Sequence, residues 1–91
     1  MSTIAGGGTG YEERRALYQQ LLNARPIPPR DRQNPHRAPI AVRVRLVWER
    51  DGVEHLDTRA WDWVGRDVLV DVPGPRLQVN AAWLDAADVR R

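Results

Sequence analysis

From residue 40 onward, hydrophobic and polar residues alternate with a period of two, the pattern of a strand with one buried face. Even-numbered positions from Ile40 to Trp48 are all apolar, and the odd-numbered positions between them include Arg43 and Arg45. Val68, Val70 and Val72 repeat the alternation farther along the chain. Both segments are therefore predicted to be strands that bury one face.

Asp51-Gly52 directly after the first strand predicts a hairpin. A two-residue loop would set Leu46 opposite Asp57 on the buried face. We therefore expect the three-residue loop 50–52, with Gly52 in the left-handed conformation, because a one-residue slip turns every side chain to the other face. This register pairs Leu46 with Leu56, Val44 with Thr58, Val42 with Ala60 and Arg45 with Asp57.

The remainder of the chain predicts three more short elements. Val72-Pro73-Gly74-Pro75 has turn chemistry, and Leu77 and Val79 after it predict a fourth strand. Residues 82–84 predict a last short strand, residues 85–88 a helical turn, and Val89 a closing residue. About five short strands in this span predict a mainly β (α+β) fold, a small five-stranded barrel over residues 40–91.

The N-terminal part is predicted to contain one helix. Residues 1–9 have the composition of a flexible tail because of three consecutive glycines. Thr9 and Glu12 fit a capping box, and Pro26 ends the helical pattern, so we expect an amphipathic helix over residues 10–24. Its apolar stripe has spacings of three and four, and comprises Tyr11, Leu17, Tyr18, Leu21 and Leu22.

Residues 25–39 contain five of the seven prolines and four arginines. Proline removes a backbone donor and favours extended geometry, so this segment is predicted to be a semi-rigid linker or arm.

Several positions of residues 40–91 together resemble a known group of proteins. They follow the pattern V-x-V-x-x-V-W-x-x-D-G, then W, V-L-V and W-L-x-A-x-D-V-R-R. This pattern resembles small uncharacterised SH3-like β-barrel proteins of GC-rich actinobacteria and their phages. The resemblance implies the barrel fold, and it carries over no catalytic or binding residues.

Composition excludes several kinds of chemistry. The chain has no cysteine and no lysine, which excludes disulfides, thiolate ligands and Schiff-base lysines. His36 and His55 lie far apart, and neither has a second ligand at HxxxH or HxxE spacing, so no metal and no cofactor are expected. Ser2 is the only serine, and no phosphate-binding loop is present. An enzyme is not expected, and neither a small-molecule substrate nor a membrane span is predicted; a cytoplasmic location is the simplest interpretation.

Trp61 and Trp63 are the main candidates for a binding surface. Continuing the second strand past Ala60 would turn Asp62 inward unpaired, which is costly, so the strand must end or bulge near residue 61. A bulge would turn one tryptophan into the core and leave the other displayed. The predicted function is a non-enzymatic protein-interaction module or adaptor that binds a protein partner or a second copy of itself. Its predicted partner-binding residues are Trp61, Trp63, Arg43, Arg59, Tyr18 and Leu22.

Nucleic-acid association is the alternative. The formal charge is only +2, but residues 1–39 carry six arginines and three acids, so the positive excess lies at the front of the chain. In this hypothesis a tryptophan stacks on bases while arginines contact phosphates. The arginines predicted for that role are Arg25, Arg30, Arg32, Arg37 and Arg45.

Overall fold

The computed structural model describes residues 16–91, which form one five-stranded antiparallel sheet with two short 3-10 turns. In chain order the strands are β1 (Ile40–Trp48), β2 (Gly52–Val64), β3 (Asp67–Asp71), β4 (Ala81–Asp85) and β5 (Val89–Arg90). The turns are Arg30–Arg32 and Ala86–Asp88. Across the sheet the order is β4-β3-β2-β1-β5.

β1 and β2 form the predicted hairpin with a different register. Gly52 has φ 74°, in the left-handed region as expected, but it pairs with Trp48 and is not part of the loop. Leu46 lies opposite Glu54, and Arg43, not Arg45, lies opposite Asp57. The predicted pairs were therefore wrong by two residues, a shift that leaves every side chain on its predicted face.

Glu54, the residue opposite Leu46, has a carboxylate whose charge is compensated by neighbouring donors. Its Oε1 accepts hydrogen bonds from Trp48 Nε1 at 3.1 Å and from an Arg76 guanidinium nitrogen at 2.6 Å. The same guanidinium lies 4.1 Å from the centre of the Trp48 ring. The carboxylate is thus compensated by two donors, one of which comes from a distant part of the chain.

The expected irregularity in β2 is present. The pairing of β2 with β3 shifts by one residue between Ala60 and Asp62, and beyond the shift Trp63 lies opposite Val68 and packs against the core. Trp61 keeps 38% of its surface exposed. One tryptophan therefore turns inward at the bulge and the other is displayed.

Residues 77–79 are not a strand, so the prediction of a strand at Leu77 and Val79 was wrong. This stretch lies between β3 and β4, where the Val72 amide donates to the Asn80 carbonyl at 3.0 Å and the Arg76 carbonyl accepts from the Gln19 amide at 2.9 Å. The backbone here makes isolated hydrogen bonds to neighbouring segments and does not form the regular series of bonds of a strand pair. The predicted strand at residues 82–84 and the helical turn after it are confirmed by β4 and Ala86–Asp88.

The predicted helix over residues 10–24 is wrong where the structure describes it. Residues 10–15 lie outside the described part of the chain, and only Ala16 and Leu17 have helical geometry after them. Leu21 instead forms a bridge with Trp48 of β1, and Ala24 forms one with Leu84 of β4. Residues 19–25, termed here the crossing segment, thus run from one end of β1 to β4, with a turn at Leu22 and Asn23 where the Ala24 amide donates to the Leu21 carbonyl at 3.2 Å.

The sheet is not closed into a barrel, which corrects the predicted SH3-like barrel. β4 and β5 follow one another in the chain but lie at opposite edges of the sheet, joined by Ala86–Asp88. Closure would require these two strands to pair. β5 has only two residues and pairs with β1, while part of the outer edge of β4 is taken by the single bridge from Ala24 to Leu84.

The main core lies on one face of the sheet. It is built from the alternating apolar positions of the strands and from Leu21 of the crossing segment. Its buried members are Leu21, Val42, Val44, Leu46, Trp48, Ala60, Val68, Val70, Val72 and Leu84.

The opposite face is covered by part of the segment predicted to be a linker. Trp83 is only 6% exposed, although it neighbours Leu84 on a strand whose side chains alternate between faces. Pro28 is buried, and the Asn34 amide donates to Asp62 at 2.8 Å. Residues 25–37 therefore contact the sheet, in contrast to the unpacked arm that the proline content indicated.

Candidate functional site

The two predicted tryptophans lie in different surroundings. The exposed Trp61 has the Arg59 guanidinium 5.9 Å from its ring centre. Trp63 is half-buried, with the Arg37 guanidinium 4.3 Å from its ring centre. Only Trp61 is displayed beside an arginine that makes no ion pair with residues 16–91.

Arg43 and Arg59 share an open groove with a volume of about 890 Å³. Arg43 is paired with Asp57 at 2.8 Å, and that carboxylate is 82% exposed. The groove mixes charges of both signs, since Asp57, Asp71 and Arg91 also line it. Trp61 is not among its lining residues, so the predicted aromatic and arginine positions do not form one continuous pocket.

Tyr18 and Leu22 of the predicted helix stripe are separated in the structure. Tyr18 is half-buried, and its carbonyl accepts a hydrogen bond from the Arg50 guanidinium at 2.9 Å. Leu22 is 55% exposed, while its amide donates to the Val47 carbonyl at 2.7 Å. The backbone of Leu22 is therefore fixed to β1 and its side chain faces solvent.

Three of the arginines predicted for nucleic-acid binding are engaged with carboxylates. Arg25 contacts Asp67 at 2.9 Å, Arg37 contacts Asp62 at 2.8 Å and Arg45 contacts Asp88 at 3.3 Å. Arg30 and Arg32 are exposed in the first 3-10 turn and make no ion pair with a described residue. The structure therefore distributes these five arginines over several surfaces.

An apolar groove, which the sequence interpretation missed, lies beside β4 and has a volume of about 630 Å³. Three strongly exposed aliphatic side chains border it: Leu22 at 55%, Ile27 at 74% and Val79 at 71%. Leu22 and Ile27 lie five residues apart, whereas Val79 comes from a distant part of the chain, so no periodic pattern connects the three. The other lining residues are Gln19, Gln20, Leu21, Ala24, Arg25, Leu69, Leu77, Gln78, Ala81, Ala82 and Trp83.

Arg25 is the single charged residue among those that line the apolar groove. Its guanidinium is bonded to Asp67, and this hydrogen bond, together with the carboxylate's charge, raises the pKa of Arg25. The positive charge is thus matched by a neighbouring negative one. The groove presents aliphatic surface, glutamine amides and backbone.

Part of the outer edge of β4 is open along this groove. The Arg25 amide donates to the Trp83 carbonyl at 2.7 Å, so the odd-numbered residues of β4 direct their peptide groups away from β3. Ala81 has the same parity, and no hydrogen bond from another described loop or side chain reaches its backbone. An unpaired peptide group on a strand edge is a place where another extended chain can add.

Residues 16–91 hold no group of three or more histidine and acidic side chains arranged to bind a metal ion. They also include no helix with the length and apolar character needed to cross a bilayer.

Comparisons with known proteins give no further guide to the site. No family model, no curated protein and no solved structure matches the chain. The resemblance to small SH3-like proteins therefore stays a prediction, apart from the closed barrel, which the open sheet corrects.

Proposed function

We propose that the protein is a small non-enzymatic protein-interaction module, and that the apolar groove beside β4 is its binding surface. The observation that carries the proposal is the concentration of exposed Leu22, Ile27 and Val79 around a groove with one charged lining residue. Exposed apolar patches bordered by polar groups are typical of protein-binding sites. We also propose that the protein acts in the cytoplasm, the location expected from the sequence.

The proposed partner is an extended segment of another protein with aliphatic side chains at alternating positions. Ala81 supplies an open peptide group on the edge of β4, and aliphatic side chains flank that edge. In strand addition, main-chain hydrogen bonds hold the partner while its alternate side chains fill apolar pockets. The lack of unmatched charge in the groove favours an apolar segment over an acidic or basic one.

Peptide selection tests this function with the full chain. A random peptide library is displayed on phage and selected on the immobilised protein, and the enriched peptides are then titrated by calorimetry. We expect enriched sequences to carry Val, Ile or Leu at every second position. Selection that yields no enrichment, or that yields peptides dominated by charged residues, contradicts the proposal.

Val79→Asp and Val53→Asp form a matched pair for this test. Both valines are exposed, at 71% and 54%, but only Val79 lines the groove. A carboxylate at position 79 would have to be desolvated by the bound peptide, so we expect an affinity loss of about tenfold or more. Val53→Asp should bind like the wild type, and equal affinities for both variants would refute the groove as the site.

Sedimentation velocity separates a foreign partner from a second copy. A monomer at all concentrations supports the proposal. A concentration-dependent dimer that Val79→Asp abolishes would instead assign the groove to self-association and overturn the choice of partner.

The nucleic-acid alternative has less support in the geometry. Arg25, Arg37 and Arg45 are engaged with carboxylates, and Trp61 is the one predicted stacking residue with substantial exposure. Fluorescence polarisation of oligonucleotides in a salt series would favour this alternative if log affinity fell linearly with log salt.

A further inference from the structure

The register of β1 places two arginines directly opposite one another and a histidine opposite a third arginine. Arg43 pairs with Arg90 of β5, and Arg45 pairs with His55 of β2. Paired residues share a face, and like charges directly across a ladder destabilise it. Three guanidinium groups and one imidazole are thus brought to one patch of the outer face.

A small cavity of about 240 Å³ lies among these side chains. It is lined by Arg43, Arg45, His55, Ala87, Asp88 and Arg90. At about 30 Å³ of liquid volume per water, the space suits a group of several heavy atoms. None of the lining residues belongs to the apolar groove, so this cavity is a separate feature.

The carboxylates nearby do not balance the positive charge. Asp88 is already engaged, since its Oδ1 lies 3.3 Å from Arg45 and its Oδ2 accepts from Asn23 Nδ2 at 3.1 Å. Asp57 pairs with Arg43 but is 82% exposed, so water and a bound anion can compete for that arginine. Arg90 makes no ion pair with any residue in 16–91.

We propose that this cavity, the arginine cavity, binds a tetrahedral oxyanion that carries two negative charges, such as a phosphate monoester. Arg43 and Arg90 approach the anion from adjacent strands, and guanidinium groups bind phosphate oxygens through two parallel hydrogen bonds. The imidazole of His55 adds a hydrogen-bonding nitrogen from β2 to the lining of the cavity. When the anion displaces the exposed Asp57 from Arg43 while Arg45 stays paired with Asp88, Arg43 and Arg90 present two positive charges, which a dianion matches and a monoanionic phosphodiester matches only in part.

Nuclear magnetic resonance titration tests the site on the full chain. Inorganic phosphate is added at about pH 7.5, where phosphate monoesters are dianionic, with sodium chloride adjusted to hold ionic strength constant. We expect saturable shifts confined to the imidazole of His55 and the amides of β5 and Ala86–Asp88. Shifts that rise linearly without saturation, or that spread over the whole surface, overturn the proposal.

Two model compounds distinguish the source of the phosphate group. Phenyl phosphate represents a monoester and dimethyl phosphate a nucleic-acid diester. We expect the monoester to bind about tenfold more tightly. Equal binding, or tighter binding of the diester, contradicts a site for a dianion.

Matched arginine variants identify the ligands. Arg90→Gln should weaken phosphate binding about tenfold or more, and Arg90→Lys should restore part of the loss because it keeps the charge without the planar fork. Arg32→Gln is the control, since Arg32 is exposed and makes no ion pair within residues 16–91. Equal losses in Arg90→Gln and Arg32→Gln would show general charge attraction and refute the site. Dispersed amide spectra of all variants verify that each one folds.

Discussion

At the scale of single residues, Asp62 has a buried negative charge that is compensated by donors from residues 25–37, termed here the proline-rich segment. It is 3% exposed, and it accepts hydrogen bonds at 2.8 Å from the Asn34 amide, the Arg37 guanidinium and the Trp63 amide. Burial is the largest influence and acts to raise the pKa of Asp62, but the three donors and the charge of Arg37 together hold that pKa below its ordinary value. The carboxylate is therefore stabilised in its ionised form.

Asp62→Asn should lower the free energy of unfolding by about 1–3 kcal/mol, because one amide cannot satisfy donors arranged around a carboxylate and leaves Arg37 without its partner. Urea unfolding at neutral pH measures this loss. Asp57→Asn is the control, since that carboxylate is 82% exposed, and its stability should match the wild type. Equal losses in the two variants would contradict the role given to Asp62.

The same residue predicts how stability depends on pH. A carboxyl whose pKa is lower in the folded state than in the unfolded state stabilises the fold above its unfolded pKa, about 3.9 for aspartate. That stabilisation is lost as the pH falls through the folded pKa. The urea midpoint of the wild type should therefore decline below about pH 4, and Asp62→Asn should show a shallower decline.

At the scale of elements, the crossing segment is the part of the structure that differs most from its sequence pattern. Leu17, Leu21 and Leu22 have helical spacing, yet residues 19–25 are not helical and instead form two single bridges joined by a turn. Four of their backbone hydrogen bonds go to partners elsewhere in the fold, namely Arg76, Val47, Trp83 and Glu49. Tertiary contacts of this kind override local propensity, which is weak for a short helix.

Adjacent leucines of the crossing segment test its docking. Leu21 is 6% exposed within the main core and Leu22 is 55% exposed. We expect Leu21→Ala to destabilise the protein by about 2–5 kcal/mol, as buried leucine truncations do, and Leu22→Ala to have little effect. Unfolding in urea gives both values. Small and equal effects would mean that the segment does not contribute to the core.

Sequence patterns predicted the elements that depend on local alternation. β1 and β3 each bury alternate apolar residues, and the left-handed conformation of Gly52 followed from turn chemistry. β4 was predicted from its apolar residues, of which the neighbours Trp83 and Leu84 are both buried. The bulge before Asp62 was expected from the cost of a buried carboxylate, although in the structure three donors allow that carboxylate to be buried. These features are determined by neighbours in the chain, so the chain alone indicates them.

The remaining features depend on residues that are distant in the chain. The hairpin register was predicted by pairing Leu46 with Leu56, but Arg76 and Trp48 satisfy Glu54 and so permit the observed register. The apolar groove is likewise assembled from separate segments of the chain. Its residue Val79 has the alternating pattern of a strand but lies in a loop. No period or spacing in the sequence predicts contacts between residues that are so far apart in the chain.

At the scale of the whole molecule, both faces of the sheet near β4 are covered. Leu84 is fully buried on the face of the main core, and Trp83 is 6% exposed on the other. Residues 25–37 are fixed to this second face by Arg25 at Asp67 and by Arg37 at Asp62. The Arg25 amide also donates to the Trp83 carbonyl at 2.7 Å, so residues 25–37 are bonded to β4 at Trp83.

Trp83→Ala should destabilise the protein by about 3–5 kcal/mol, the range for buried aromatic truncations. Trp61→Ala should cost less, because 38% of that side chain is already in contact with water. Thermal unfolding followed by circular dichroism compares the two variants. Severe losses of equal size would show that Trp61 is also a structural residue.

The crossing segment also has a consequence for how the chain is made. A ribosome synthesises residues 19–25 well before their partners on β4. β5, which extends the edge of β1, is synthesised after β4. A growing chain can form the β1–β2 hairpin before β4 and β5 exist, so the edges of that hairpin are open to pairing with other chains until residues 81–90 have been made.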